Sequence, residues 1–140
     1  MTASLASYRD LLARKRCAFT PRGIDDVPDL NPAMFPHQRD VTAFLLKAGC
    51  GAAFLDTGLG KSLVTLEWSR VLATRADKPG LMLAPLAVGP QHVREAAKFG
   101  IDAIYARTPA DIRGQHRVVV TNYERLHLFD PTMFSSVALD

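Results

Sequence analysis

Leu5, Tyr8, Leu11 and Leu12 recur at helical spacing, with Arg9, Arg14, Lys15 and Arg16 between and after them. This predicts an amphipathic helix with one apolar stripe over about residues 4–16. From Phe19 to Met34 the chain carries Pro21, Gly23, Pro28 and Pro32 without steady periodicity, so a loop is expected there. Pro36 suits the first turn of a helix, where a missing N–H costs nothing, and Val41, Phe44, Leu45 and Ala48 form its expected buried stripe before Gly49 ends it. The short apolar run Ala52-Ala53-Phe54-Leu55 then reads as a strand. It leads into Asp56-Thr57-Gly58-Leu59-Gly60-Lys61-Ser62 and a further helical pattern in Leu63, Leu66, Val71 and Leu72.

Lys78-Pro79-Gly80 turns the chain into Leu81-Met82-Leu83-Ala84, a buried strand that Pro85 closes. Pro90 opens another helix, carrying Val93, Ala96, Ala97 and Phe99 to a stop at Gly100. Residues 101–106 read as a strand, Thr108-Pro109-Ala110-Asp111 as a capped helical turn, and residues 117–121 as a valine-rich strand. A short helix around residues 124–128, a turn at Asp130-Pro131 and a final strand Val137-Ala138-Leu139-Asp140 complete the pattern. Alternation of strands and helices from about residue 51 predicts an α/β fold, a parallel sheet with helices on both faces.

Composition narrows the class. The 140 residues are 48% hydrophobic and 22% charged, ordinary globular usage that excludes a disordered or collagen-like chain. No apolar run approaches the ~20 residues needed to span a bilayer, and the first ten residues lack the apolar core of a secretory signal. A cytoplasmic chain is expected, with the nucleus left open. Cys17 and Cys50 are far apart and form no C-x-x-C pair, so they read as small buried apolar residues. His37, His92, His116 and His127 show no metal-ligand spacing. The formal net charge of +3 suits an anionic partner without requiring one. Arg14-Lys15-Arg16, with Arg22 nearby, is open to two accounts, a phosphate-backbone contact or a solvated helix end.

The chemistry concentrates in Gly58-Leu59-Gly60-Lys61-Ser62. Placed between a strand and a helix, G-K-[ST] directs backbone N–H groups and the helix dipole at phosphates. Lys61 adds a point charge, Ser62 a hydroxyl for Mg²⁺, and Gly58 and Gly60 let the main chain approach closely. The full pattern G-x-x-x-x-G-K-[ST] is not met, because Leu55 stands five before Gly60.

Asp56-Thr57-Gly58-Leu59-Gly60-Lys61-Ser62 resembles motif I of the superfamily 2 helicases and DNA translocases, and its Gly-Leu-Gly-Lys core looks like their Swi/Snf branch. Phe35-Pro36-His37-Gln38, ending twenty-three residues before Lys61, resembles the Q-motif, where an aromatic and a glutamine recognise adenine. A glutamine amide has both the donor and the acceptor that the adenine edge needs. Leu81-Met82-Leu83-Ala84-Pro85-Leu86 resembles motif Ia, with His92 where that branch usually carries tryptophan. Val118-Val119-Val120-Thr121-Asn122-Tyr123-Glu124 is similar to the branch's T-x-Y-E segment at the nucleic-acid face. The plainer account is that Thr121 and Asn122 cap the helix that follows. Val137-Ala138-Leu139-Asp140 has the Walker B form, and the resemblance makes Asp140 the first residue of motif II.

The resemblance implies a RecA-like P-loop NTPase fold, with residues 1–34 an N-terminal appendage and residues 35–140 the first RecA-like domain, incomplete at motif II and lacking the second RecA-like domain. It implies ATP and Mg²⁺ as cofactors and DNA, alternatively RNA, as partner. ATP-binding residues would be Phe35, Gln38, Thr57, Gly58, Leu59, Gly60, Lys61 and Ser62. Lys61 and Asp140 would be catalytic, Ser62 and Asp140 would hold the metal, and Pro85, Leu86, Thr121, Asn122 and Tyr123 would face nucleic acid. The expected activity is ATP hydrolysis coupled to movement on or remodelling of DNA, with this stretch alone inactive. The rivals are a small P-loop kinase or NTPase and a nucleotide-binding interaction module without turnover.

Overall fold

In the computed structural model, which describes residues 5–15 and 20–140, two fully buried strands form the centre of a sheet. β1 (Gly80–Ala84) pairs in parallel with β3 (Val118–Asn122), Gly80 opposite Val118 and Ala84 opposite Asn122. Strands buried on both sides read as unbroken apolar runs, as both of these do. β4 (Ser136–Leu139) pairs with the other side of β1, and β2 (Ala103–Tyr105) with the other side of β3. The result is an α/β fold with a four-stranded, all-parallel sheet of order β2-β3-β1-β4.

Alternation along the strands divides the core. Met82, Ala84, Val118 and Val120 pack with Leu63, Val64 and Leu66 of α3 (Lys61–Ala76) and Ala96 of α4 (Gly89–Lys98). Leu81, Leu83 and Val119 point the other way, toward Ala106 and Phe129. That second face is covered by the 3₁₀ turns Pro109–Asp111, Tyr123–Leu128 and Pro131–Met133 with the loops around Ile112 and Phe134. Helices on both faces were expected. Among the described residues, α-helices pack on one face only, because Pro109, Gly114 and Pro131 interrupt the two later connections and leave room for 3₁₀ turns alone.

α2 (Pro36–Ala48) packs on α3, but its buried positions are Gln38, Thr42, Leu46 and Ala48. Val41 and Leu45 are half-buried and Phe44 is 59% exposed, so the helix is rotated from the stripe its apolar residues suggest. The loop before it belongs to the main body. Arg22, Gly23 and Ile24 donate their N–H groups to the carbonyls of Ala48, Lys47 and Leu46, closing the end of α2. Only glycine allows this approach, since a Cβ on Gly23 would lie 1.8 Å from the Leu46 oxygen. Ile24 and Met34 are buried.

Asn31 fastens the same loop to two helices. Its N–H donates to Glu67 Oε1 at 2.8 Å and its Nδ2 to the Phe99 carbonyl at 2.8 Å. Glu67 is fully buried on α3 and also accepts from Arg70 Nε and Nη2, so the carboxylate is paired where an isolated charge would be costly. The bond to Glu67 holds the Arg70 guanidinium above its ordinary value. The loop from Arg22 to Met34 is thus fastened to α2, α3 and the end of α4 as one packed segment. α1 (Leu5–Lys15) lies before it, with Tyr8, Leu11 and Leu12 each about half exposed. Arg16, Cys17 and the side chains of Arg14 and Lys15 lie outside the described residues. Cys50 is exposed, contrary to the buried role expected of it.

One expected strand is missing. Residues 51–56 form no ladder, and they lie across a groove of about 360 Å³ from β4. A strand exists only where a neighbour supplies hydrogen-bond partners, and here the groove separates the two backbones. Phe54 is 96% exposed, and Val137 and Leu139 on the open edge of β4 are exposed as well.

Candidate nucleotide site

The glycine loop ends where α3 begins. Gly60 is the residue before Lys61 and adopts a left-handed backbone with φ of 73°. A Cβ there would sit 2.2 Å from Gln38 Nε2, so the position accepts glycine on both counts. The first turn of α3 leaves the N–H groups of Lys61 and Ser62 without intrahelical acceptors, and the helix dipole adds positive potential at the same end. This is an anion-binding geometry. Lys61 Nζ donates to the Leu55 carbonyl at 3.0 Å, which folds the ammonium back over the loop. Leu59 N–H bonds the Asp56 carbonyl, and Thr57 N–H bonds Asp56 Oδ1 at 2.7 Å.

Gln38 braces this loop from α2. Its Oε1 accepts from Phe35 N–H at 2.9 Å and its Nε2 donates to the Leu59 carbonyl at 3.0 Å. Only 4% of Gln38 is exposed, so the amide expected to read adenine is engaged at both ends within the protein. Phe35 is exposed, and its ring lies nearly parallel to that of His37, with centroids 6.0 Å apart and planes at 11°.

The parallel register places the C-terminal ends of the strands together, Ala84 opposite Asn122 and Leu83 opposite Leu139. Ligands of open α/β sheets bind at such an edge. Asp140 follows β4 there and is held on three sides. Its N–H donates to the Leu83 carbonyl at 2.9 Å, its own carbonyl accepts from Tyr123 Oη at 2.6 Å, and Oδ2 lies 3.0 Å from His92 Nε2.

A cavity of about 760 Å³ unites the separate motifs. Phe35, Gln38, Gly58, Gly60, Lys61, Ser62 and Asp140 all line it, while Thr57 and Leu59 do not. Ligand pockets commonly enclose about 300–1,000 Å³. From the far side α4 contributes Gln91, His92 and Glu95, which the sequence pattern did not single out as site residues. The only signal was His92, noted as a replaced tryptophan and not as a partner for a carboxylate forty-eight residues away.

The five positions expected to face nucleic acid divide. Pro85, Leu86 and Tyr123 are exposed at the C-terminal ends of β1 and β3. Thr121 and Asn122 are buried. Thr121 Oγ1 donates to the Ala106 carbonyl at 2.7 Å, and Asn122 Nδ2 donates to Glu124 Oε2, so neither side chain is presented outward. Asn122 makes no cap bond to the turn that follows, which removes the plainer account too.

Mg²⁺ takes hard oxygen ligands, needs only one or two from protein and shares the rest with phosphates and water. The Ser62 hydroxyl and the Asp140 carboxylate, on one cavity with the N-terminal end of α3, fit that demand. No family model and no curated protein matches the chain. The chain is an α/β protein with a parallel sheet and a cleft at the strand ends that joins a glycine loop, a lysine and a carboxylate.

Proposed function

We propose that the chain is the ATP-binding part of an ATP-dependent DNA helicase or translocase, a RecA-like domain of superfamily 2 type. The observation that carries this reading is the meeting of Lys61, Ser62 and Asp140 with Phe35 in one cleft, although they come from separate elements. The N-terminus of α3 and Lys61 hold the β- and γ-phosphates. Phe35 offers a face for the base. Ser62 and Asp140 hold Mg²⁺, which when bound neutralises charge developing on the transferred phosphate. Pro85, Leu86 and Tyr123, beside the cleft, are the surface proposed for DNA or RNA.

Hydrolysis draws on more than these groups. An arginine that stabilises the transition state is worth about 10³–10⁵ in rate, and among the described residues no arginine lines the cleft. Coupling to movement therefore requires a second RecA-like domain to supply it. The same observation favours a second reading, a nucleotide-binding module without turnover. Titration calorimetry with ATP and Mg²⁺ tests the shared core of both. Saturable binding that Lys61→Ala weakens supports the assignment, and equal affinity in both proteins ends it.

A further inference from the structure

We infer that His92 is a positioning residue for Asp140, orienting the carboxylate toward a nucleotide-bound divalent cation; this rests on the nucleotide reading above. The His92 side chain is only 3% exposed, and it meets Asp140 Oδ2 through Nε2 at 3.0 Å. The other ring nitrogen, Nδ1, is buried with no hydrogen-bond partner among the described residues. That asymmetry selects the tautomer. A proton on Nδ1 would leave a buried donor unsatisfied, whereas a proton on Nε2 donates directly to the carboxylate and leaves Nδ1 a bare lone pair. His92 therefore donates through Nε2, committing one Asp140 oxygen and leaving the other for the cation.

The backbone explains why a donor is needed. Asp140 N–H and C=O are tied to Leu83 and Tyr123, which fixes the main chain but not rotation about the side chain. The bond from His92 removes that freedom. Its base is rigid, because His92 N–H bonds the Val88 carbonyl in the first turn of α4, and Val88 N–H bonds Pro85. Partners that orient a metal ligand in this way typically contribute about ten- to hundredfold in metal affinity.

The test compares ATP affinity in Mg²⁺ with ATP affinity in EDTA for the wild-type chain and three variants. His92→Leu removes the donor, His92→Asn keeps an amide too short to reach Asp140, and His92→Gln keeps an amide nitrogen at comparable reach. Leu and Asn are expected to lose about tenfold or more of the Mg²⁺-dependent gain with the EDTA value unchanged, and Gln to recover most of it. In an Asp140→Ala background, His92→Leu should cost nothing further. A wild-type Mg²⁺-dependent gain in both the Leu and the Asn variants overturns the inference, as does an equal loss in both media or a failure of Gln to recover. Wild-type chain that binds no ATP in either medium overturns the nucleotide reading and this inference with it.

Discussion

Gln38 Nε2 donates to the Leu59 carbonyl at 3.0 Å, tying the start of α2 to the middle of the glycine loop. Its Oε1 simultaneously holds Phe35 N–H, so one side chain sets the loop and the neighbouring aromatic together. Gln38→Ala should then loosen the phosphate site as a whole. ATP and GTP are both expected to weaken, by about three- to tenfold, which is the free energy of one ordinary hydrogen bond. Competition titrations with the two nucleotides check it, and a loss confined to ATP would return Gln38 to direct recognition of adenine.

Lys61→Ala is expected to lower ATP·Mg²⁺ affinity by about ten- to hundredfold through the lost charge-assisted bond to phosphate. Folding should be unaffected. Lys61 is exposed, and among the described residues its ammonium bonds only the Leu55 carbonyl. Equal urea midpoints for the two proteins, measured beside the calorimetry, separate loss of the site from loss of the fold.

Much of this arrangement was legible in the chain because local chemistry and tertiary structure agree there. Gly58, Gly60 and Lys61 announce a loop that opens a helix, and α3 begins at Lys61. Leu81–Ala84 and Val118–Val120 are apolar on consecutive positions, as a strand covered on both sides requires. The failures have a common cause in long-range partners. Ala52–Leu55 is apolar enough for a strand but pairs with no neighbour among the described residues. α2 turns Gln38 and Thr42 inward and Phe44 outward because Gln38 must reach Leu59, a constraint that apolar periodicity does not register. Thr121 reads as a surface polar residue, yet the Ala106 carbonyl fifteen residues away satisfies its hydroxyl in the core.

Glu67 supports the site from a distance. It is fully buried and gathers Arg70 and the Asn31 N–H, and Asn31 in turn reaches Phe99. Glu67→Ala leaves the Arg70 guanidinium without its partner and the loop at Asn31 unfastened. A loss of about 3 kcal/mol is expected, the lower end for breaking a buried pair because Arg70 remains 30% exposed. Urea denaturation measures it, and a change below about 1 kcal/mol would show that the loop's other contacts, Arg22–Ile24 with α2 and Asn31 with Phe99 among them, suffice to hold it.

Acid should weaken two turns on the helix-free face. Backbone N–H groups of Thr108 and Arg107 hold the Asp111 carboxyl below its usual value, and those of Thr132 do the same for Asp130. Because the folded values are depressed, their stabilisation is complete above the ordinary carboxylate range and is lost as pH falls through the folded values. Asp111→Asn and Asp130→Asn should therefore flatten the acid limb of the urea midpoint against pH. Unchanged acid limbs in both variants would mean that other carboxylates govern it.

ATP bound by the 140-residue chain is not expected to turn over. Lys61 and Ser62 can hold phosphates and Asp140 a metal, but hydrolysis also needs a group to orient water and a cation at the transition state. Two glutamates invite the first role. Glu124 is spent on Asn122 Nδ2, and its position in the first turn after β3 has a sufficient cause in the dipole of that turn. Glu95 does line the cleft, but its Oε1 accepts from Gln91 Nε2; besides Lys61 the cleft holds Lys98, on the same helix as Glu95, and no arginine among the described residues. Phosphate release should equal the buffer blank with or without DNA, and Glu95→Gln should change nothing. Sustained release that both Lys61→Ala and Glu95→Gln abolish would assign Glu95 as the base and make the chain a self-sufficient NTPase.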